Sequence, residues 1–395
     1  MRHMAPMLRC MVIIGTRPEA IKLAPVMHAL REAGHQVRTQ LVLTGQHGEL
    51  VDEVLKLFHL KPEFDLDLMR HYQTLSQFTA RALTALTDLF ARERPDLILV
   101  QGDTTTVFAA SLSAFYQRIK VGHVEAGLRT HDKGNPFPEE INRRLTGVLA
   151  DLHFAPTEEA RLNLLLERIP DSQIFVTGNP VIDALQMTRE QARTVARKQF
   201  ACLDNGLRTI LVTSHRRENQ GEPLERICRA IARLTEQYLD VQVIWPVHPN
   251  PRVFKTVHRL LSDKPNIHLV SPMGYCAFVG VMEMSTLILT DSGGVQEEAP
   301  ALGRPVLVMR ETTERPEGID AGTVKLIGTA EVDIFKESAL LLTDTEAYGR
   351  MANAVSPYGD GKAANRIVTA IRHHWGLQNN TEQLDAALTQ VVASA

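Results

Sequence analysis

Short apolar runs alternate with amphipathic stretches along nearly the whole chain, and this alternation restricts the fold more than any other feature. In the first half, the apolar runs lie at residues 11–15, 39–44, 97–101, 121–124 and 174–177. Helical patterns separate them at residues 18–33, 75–93 and 105–117. Strand-sized runs between helix-sized stretches are typical of βαβ units around a parallel sheet.

The same pattern begins again in the second half, with strand-like runs at residues 209–213, 241–247, 267–270, 286–290 and 305–309. We therefore predict an α/β protein of two doubly wound, Rossmann-like domains with a cleft between them. The expected domains are residues 1–180 and 181–362, followed by a helix and tail at residues 363–395. The expected seam between the domains is the polar stretch after Asn179-Pro180, which continues through residues 188–198 to Asn205-Gly206. Ligands of such sheets bind beyond the carboxyl ends of the strands, so motifs at strand ends are the candidates for a site.

Composition excludes several classes of protein. The 395 residues are 44% hydrophobic and 23% charged, which is typical of a globular rather than a disordered chain. The 43 basic and 46 acidic residues give a net charge of −3, which argues against a nucleic-acid binder that depends on a basic surface. An apolar run of about 18 residues is absent, so we expect no membrane-spanning helix. The four cysteines form no CxxC pair, which favours a reducing cytoplasm over a disulfide scaffold.

The segment after the first predicted strand is a candidate anion site. Residues 15–22 read GTRPEAIK and open the first predicted helix. They lack the glycines of a dinucleotide fingerprint and the Gly-Lys-Ser/Thr of a Walker loop, so no nicotinamide or flavin cofactor is expected. A helix N-terminus with Arg17 and Lys22 nearby suits an anion such as a phosphate. The alternative is that both cations are solvated surface charges.

Three acidic positions in the first half are candidates for proton transfer. Asp103 in QGDTTT and Glu125 in HVEAGLRT follow predicted strands, and Glu139 in PFPEE stands at a loop-to-helix junction. Glu125 has apolar neighbours, so we expect it to be buried and either paired or raised in pKa. A helix-capping role is the alternative for Asp103, as it is for one of Glu139 and Glu140. Carboxylates held in a dry cleft suit general acid–base chemistry.

Two motifs in the second half suggest contacts with phosphate groups. In SHRREN, His215 stands beside two arginines at the end of a predicted strand. In DSGGVQEE, the Ser292-Gly293-Gly294 turn opens a helix and lets backbone N–H groups approach a diphosphate. Glu298, about one turn further, is placed to accept hydrogen bonds from ribose hydroxyls. A plain glycine-rich turn is the alternative, and no HxH or HExxH spacing predicts a metal site.

Seven motifs in order resemble the non-hydrolysing UDP-N-acetylglucosamine 2-epimerases of bacteria: GTRPEAIK, QGDTTT, HVEAGLRT, PFPEE-x-NRRLTG, SHRREN, LTDSGGVQEEAPALG and TTERPEG. The resemblance covers about residues 11–375. It implies a glycosyltransferase-B-like (GT-B-like) fold whose last helix crosses back to the first domain. It also implies a cytoplasmic homodimer that uses no cofactor and binds neither nucleic acid nor membrane.

The resemblance also implies roles for individual residues. The catalytic residues are Asp103, Glu125, Glu139 and His215. The substrate contacts are Arg17, Lys22, Asp103, Glu125, His215, Phe278, Ser292, Gly293, Gly294, Glu298 and Arg315. Met273 departs from the pattern, because some members have Gln there at a uridine contact.

Many members of that family bind a second UDP-N-acetylglucosamine as an activator. The positions that match this allosteric site are Gln46, Gln73, Glu139, Arg216 and His248. Glu49 and Tyr72 depart from the pattern.

The implied reaction is the reversible C2 epimerisation of UDP-N-acetylglucosamine to UDP-N-acetylmannosamine, supplying a cell-surface polysaccharide pathway. It proceeds by elimination of UDP to 2-acetamidoglucal and re-addition, because the C2 proton is not next to a carbonyl. Three rival functions stay open. They are a hydrolysing epimerase that releases N-acetylmannosamine and UDP, a glycosyltransferase of the same fold, and a nucleotide-sugar-binding regulator without turnover.

Overall fold

The computed structural model describes residues 7–45, 48–313 and 315–377. The chain divides into two compact units. Unit 1 holds the described residues up to Ala184 and from Tyr358 onward, and unit 2 is Leu185–Pro357. Among the described residues, no helix combines the length and apolarity needed to cross a bilayer.

Unit 1 is built on a seven-stranded parallel sheet in the order β3-β2-β1-β4-β5-β6-β7. Its strands are β1 (Leu8–Ile14), β2 (Val37–Leu43), β3 (Phe64–Asp65), β4 (Leu97–Gln101), β5 (Lys120–Val124), β6 (Leu152–Ala155) and β7 (Ile174–Val176). Its first six helices are α1 (Arg17–Glu32), α2 (Gly48–Leu57), α3 (Leu75–Glu93), α4 (Thr105–Tyr116), α5 (Glu139–Leu149) and α6 (Glu158–Leu166). Met11 and Ile98 on the strands pack with Phe78 and Phe90 on α3, because a parallel sheet must be covered on its faces.

Unit 2 is built on a six-stranded parallel sheet in the order β10-β9-β8-β11-β12-β13. Helix α7 (Pro180–Gln199) leads into it, and the strands are β8 (Arg208–Thr213), β9 (Val241–Pro246), β10 (Ile267–Val270), β11 (Leu287–Thr290), β12 (Val306–Val308) and β13 (Val324–Leu326). The helices are α8 (Glu222–Gln237), α9 (Pro251–Leu261), α10 (Tyr275–Met284), α11 (Gly293–Ala301), α12 (Pro316–Asp320), α13 (Glu331–Thr343) and α14 (Thr345–Ala352). Its core includes Trp245 on β9 and Ile227 on α8, both without exposed surface.

The last described helix, α15 (Ala363–His374), belongs to unit 1 and packs against α1. Its first N–H groups would lack acceptors without help from another element. The Asp183 carboxylate accepts hydrogen bonds from Ala363 N at 3.2 Å and Ala364 N at 2.9 Å. This cap anchors the start of α15 within unit 1.

The predicted fold class is confirmed, since both sheets are parallel and flanked by helices. Strands β4 and β10 and helix α3 have the predicted bounds, and the other predicted elements differ by a few residues at their ends. The prediction missed β3, β6 and β13, which are only two to four residues long. The polar stretch around residues 188–198 is helical and lies inside α7.

Both sheets reverse their strand order beside the first strand of the unit. In unit 1, β1 lies between β2 and β4, and in unit 2, β8 lies between β9 and β11. Such a reversal is the switch point at which open α/β sheets bind their ligands. The loops that follow β1, β4, β8 and β11 therefore define where a site is expected in each unit.

Candidate functional site

The loops after β1 and β4 approach each other closely at the switch point of unit 1. Gly15 follows β1, and a Cβ atom at this position would overlap Oγ1 of Thr106 and lie 2.8 Å from Oγ1 of Thr44. These two hydroxyls are hydrogen-bonded to each other at 3.0 Å. Glycine is therefore required here because the backbone packs directly against the start of α4.

Glu19 links the two loops. Its Oε2 accepts hydrogen bonds from Gly15 N at 2.5 Å and Thr16 N at 3.1 Å, and Thr104 Oγ1 donates to its Oε1 at 2.5 Å. Burial raises the pKa of Glu19 to about 7 against the opposing effect of these hydrogen bonds. Glu19 was not among the predicted site residues, although it is the third residue of α1 and forms a capping box with Thr16. The two N–H groups bound to Glu19 are used inside the protein, which weakens the hypothesis that they hold an anion.

Glu125 follows β5 in a conformation that is unusual for a residue other than glycine. Its φ angle is 63°, in the left-handed region, where backbone strain is typical of functional positions. The side chain is buried and forms an ion pair with Lys22. Asn179 Nδ2 donates to the same Oε2 atom at 2.9 Å. Glu125 is thus buried and paired, as predicted.

Two other expectations change at this ion pair. Lys22 is buried, so the alternative of a solvated surface cation is wrong for this residue. In the structure Lys22 contacts the Glu125 carboxylate, whereas the predicted partner was an anionic ligand. Asn179 was missed as a site residue. It lies three positions after the end of β7, and ligands of parallel sheets bind beyond the carboxyl ends of the strands, so its position could have identified it. Arg17, the other predicted cation, is partly exposed at the first position of α1.

Asp103 follows β4 and does not cap α4. The cap is Thr104, whose Oγ1 accepts a hydrogen bond from Val107 N at 3.3 Å. Oδ2 of Asp103 instead accepts a hydrogen bond from Arg143 Nε at 3.0 Å, and its backbone oxygen accepts one from Asn142 Nδ2 at 3.0 Å. Helix α5 therefore positions Asp103. Arg143 belongs to the NRRLTG motif, but no role was predicted for it.

The two adjacent acids at the start of α5 differ in their surroundings. Glu140 is buried and accepts hydrogen bonds from the backbone N–H groups of Thr130 at 3.1 Å and His131 at 3.2 Å. The predicted alternative for at least one of these acids was helix capping and stabilisation of the helix dipole. Glu140 is in the first turn of α5, but the N–H groups that it binds belong to the preceding loop. Glu139, the first residue of the helix, is partly exposed. It is therefore the acid of this pair that a ligand can reach.

At the switch point of unit 2, Asp291 holds the loop that carries His215. The Asp291 carboxylate is fully buried and lies 3.1 Å from Nδ1 of the His215 ring. It also accepts hydrogen bonds from Ser214 Oγ at 2.9 Å, Arg216 N at 3.0 Å and Asn219 Nδ2 at 3.0 Å. Burial on its own would raise the pKa of Asp291, but His215 and the backbone N–H groups outweigh it and lower that pKa. The imidazole itself is partly exposed, with 42% of its side-chain surface accessible.

The Ser-Gly-Gly turn forms the helix start that the sequence predicted. Ser292 is the N-cap of α11, and Gly293 and Gly294 are its first two residues. Their N–H groups lack intrahelical acceptors, as in the first turn of any helix. Glu298, further along α11, is buried and accepts a hydrogen bond from the Tyr275 hydroxyl at 2.7 Å.

Three more predicted positions lie in unit 2. Phe278 is partly buried on α10, one turn after Tyr275, and Met273 is buried just before that helix. Arg315 is buried, and its Nε donates to Glu297 Oε1 at 2.5 Å. Glu297 on α11 thus fixes the arginine beside the glycine turn.

The positions matched to an allosteric site fall in both units. Gln73 in unit 1 donates to Met69 Sδ at 2.6 Å. In unit 2, the His248 ring stacks on His215 with centroids 5.9 Å apart, and Arg216 lies next to His215 in the chain. Gln46 lies outside the described residues.

The part of the chain that the structure describes contains no group of three or more His, Cys, Asp or Glu side chains arranged to hold a metal ion. All four cysteines are free thiols, and Cys10 and Cys228 are buried in the cores.

Comparison with known proteins identifies the family. A family model described as UDP-N-acetylglucosamine 2-epimerase matches residues 28–372. The UDP-N-acetylglucosamine 2-epimerase of Bacillus subtilis is 49% identical over 379 residues, which cover 96% of this chain and 98% of that protein.

Solved structures agree with this result. A UDP-GlcNAc 2-epimerase from Neisseria meningitidis, bound to UDP-GlcNAc, is 46% identical with a TM-score of 0.88, covering 93% of this chain and all of that one. A Staphylococcus aureus protein in a co-structure with UDP is 44% identical with a TM-score of 0.86, covering 95% of this chain and 98% of that one. With a family model matched over most of its length and relatives that share nearly half of its residues, the chain belongs to the UDP-N-acetylglucosamine 2-epimerase family.

Proposed function

We propose that the chain interconverts UDP-N-acetylglucosamine and UDP-N-acetylmannosamine without net hydrolysis. The observation that carries the proposal is Glu125, a buried carboxylate in a left-handed backbone conformation, paired with Lys22 at the end of β5. A carboxylate held in this way beside the β1/β4 switch point is suited to exchanging a proton with a bound sugar. Membership of the epimerase family supplies the substrate class.

In the first step, a base removes the C2 proton while the bond between C1 and the UDP oxygen breaks. The products are 2-acetamidoglucal, UDP and the protonated base. Negative charge grows on the diphosphate as the bond breaks, and preorganised donors stabilise such charge best. Unit 2 offers His215, Arg315 and the N–H groups of Gly293 and Gly294 for this role, and both side chains are already held by buried carboxylates.

In the second step, UDP adds back to C1 and a proton reaches the opposite face of C2. Two faces require at least two acid–base groups, and unit 1 offers Asp103, Glu125 and Glu139. Asp103 is held by Arg143, Glu125 by Lys22 and Asn179, and Glu139 is the most accessible of the three. Because their surroundings differ, these three carboxylates can take different roles in proton transfer although their chemistry is the same.

Turnover of purified protein with UDP-N-acetylglucosamine alone in D₂O, followed by NMR, tests the proposal. We expect UDP-N-acetylmannosamine to form and deuterium to appear at C2 of both epimers. Full retention of the C2 hydrogen in the product would refute elimination and re-addition. Free N-acetylmannosamine with UDP would indicate the hydrolysing enzyme, and a requirement for an acceptor would indicate a glycosyltransferase. Tight binding of UDP without any product would indicate a regulator.

The proposal includes a homodimer formed through unit 1. Helix α5 exposes Leu145 and Val148 at 42% and 78%, and α6 exposes Leu166 at 79%. Apolar side chains that remain exposed on the helices of one unit support an association surface there. Sedimentation velocity tests this, and Val148→Glu is expected to shift the protein to a monomer.

The proposal also includes activation by a second UDP-N-acetylglucosamine, for which His248 beside His215 is the supporting contact. Initial rates should then depend sigmoidally on substrate concentration, and a hyperbolic dependence would contradict activation. A cytoplasmic location is supported by the four free thiols, because the cytoplasm keeps thiols reduced. Cell fractionation tests it.

A further inference from the structure

Tyr275 is a buried phenol to which the proposed reaction gives no role. It is the first residue of α10 and only 6% exposed. Its hydroxyl donates to Oε1 of Glu298 at 2.7 Å. Burial and the neighbouring charge of Glu298 raise the pKa of Tyr275 well above its ordinary value, so the hydroxyl remains a donor.

The second carboxylate oxygen of Glu298 lies against the glycine turn. A Cβ atom added to Gly294 would lie 3.8 Å from Oε2. Gly294 is the second residue of α11, where the proposed function places the diphosphate. Oε1 therefore contacts α10, while Oε2 lies over the helix start. In a nucleoside diphosphate, the ribose is the group next to the diphosphate.

We propose that Tyr275 is a positioning residue that gives the nucleotide site its preference for an intact ribose diol. By binding one oxygen of Glu298, it holds the other where the ribose hydroxyls can donate to it. The inference deepens the proposed function: it rests on the diphosphate position given there and on the ribose contact that the sequence predicts for Glu298.

A carboxylate needs such a partner because its terminal torsion is broad and sets no orientation by itself. Loss of a hydrogen bond to a carboxylate also costs free energy, so removal of the phenol hydroxyl would favour other side-chain positions of Glu298. Tyr275→Phe removes only the hydroxyl and keeps the buried ring.

Calorimetric titration with UDP and with 2′,3′-dideoxyuridine 5′-diphosphate tests the inference. We expect the wild-type protein to bind UDP about tenfold more tightly than the dideoxy nucleotide, a usual effect of hydrogen bonds to a charged group. Tyr275→Phe should weaken UDP binding by about fivefold to tenfold and leave binding of the dideoxy nucleotide unchanged. In a Glu298→Gln background, the tyrosine substitution should no longer alter the ratio.

Tyr238→Phe is the matched control. Tyr238 also belongs to unit 2 and packs against its core, but it precedes β9 at the amino end of the sheet. Its substitution should leave both affinities as they are in the wild type. Tyr275→Met, which fills similar space without a hydroxyl, gives the same test if the phenylalanine variant folds poorly.

Equal weakening of both nucleotides by Tyr275→Phe, or an unchanged ratio, would overturn the inference and leave Tyr275 with a packing role. A wild-type protein without a diol preference would overturn it even if the protein epimerises its substrate. The proposed function fails separately: a diol preference that depends on Tyr275, in a protein that forms no UDP-N-acetylmannosamine, would support the inference and refute the reaction.

Discussion

Replacing Asp291 with asparagine removes the charge from the network that holds His215 but keeps its shape. Oδ1 of Asp291 lies 3.1 Å from the His215 ring, while Oδ2 accepts hydrogen bonds from Ser214, Arg216 and Asn219. An asparagine with its oxygen at the Oδ2 position keeps those three bonds. Its amide nitrogen then donates to His215 Nδ1, so the ring must accept there and loses its contact with a carboxylate oxygen.

The expected effect of Asp291→Asn on stability is small because only one contact of the carboxylate changes. The change exchanges one hydrogen bond to a charged group for a neutral one, so we expect a loss of about 1–3 kcal/mol in the free energy of unfolding. The effect on activity should be larger, because His215 is assigned to the charge that develops on the diphosphate. Loss of one preorganised donor costs about two to three orders of magnitude in kcat.

NMR detection of UDP-N-acetylmannosamine for wild type, Asp291→Asn, His215→Gln and the double variant gives the test. Because Asp291 acts through His215, the double variant should be about as slow as His215→Gln alone. Ser214→Ala is the control, since it removes one bond to the same carboxylate and leaves the ring contact intact. A wild-type kcat for Asp291→Asn, or losses that multiply in the double variant, would refute this reasoning.

Three further predictions concern unit 1. Each of Asp103→Asn, Glu125→Gln and Glu139→Gln should lower kcat by about two to four orders of magnitude in the same NMR assay, and near-normal rates in all three would place the chemistry elsewhere. Glu19 has a folded pKa of about 7 against an ordinary 4.5, so its contribution to stability is full below pH 4.5 and is lost as the pH rises through about 7. Thermal unfolding across this range should show that Glu19→Gln removes this part of the pH dependence. Gly15→Ala should destabilise the fold by about 1–3 kcal/mol in urea unfolding, because the added methyl overlaps a threonine side chain, and an unchanged midpoint would contradict the overlap.

The sequence predicts the fold well where strands are long and apolar. Strand β4 and helix α3 have the bounds that periodicity predicts, because a buried parallel strand is a continuous apolar run and a half-buried helix is not. Strand β3 is only two residues long, and β13 includes an exposed lysine, so neither produces a clear pattern. These short strands pair at or near the sheet edges because the neighbouring strand offers hydrogen bonds, which is a tertiary effect.

The sequence predicts where the candidate site residues lie, but it does not predict which residues they contact. Strand ends pointed to Glu125 and His215, since the carboxyl ends of parallel strands lie at one edge of a sheet. Lys22 and Glu125 are 103 residues apart along the chain, so no local sequence pattern predicts that they contact each other. Glu19 was missed for the opposite reason: an acid in the first turn of a helix is common, and only its burial sets it apart here.

In both units, an acidic or basic side chain holds each of two candidate site residues, but the roles of acid and base are exchanged between the units. In unit 1 the candidate acids are held by cations: Glu125 pairs with Lys22, and Asp103 pairs with Arg143. In unit 2 the candidate phosphate contacts are held by buried acids, since His215 contacts Asp291 and Arg315 contacts Glu297.

In each of these four pairs the partner lies within the same unit, which avoids the high cost of leaving a charged group unpaired in a protein interior. Pairing also fixes the orientation of each group, so little reorganisation is needed when charge develops on a ligand. It follows that the partners matter as much as the groups that contact substrate. A substitution at Lys22 or Glu297 should impair the reaction because it removes the oppositely charged contact of Glu125 or Arg315, even if that residue never contacts the sugar nucleotide.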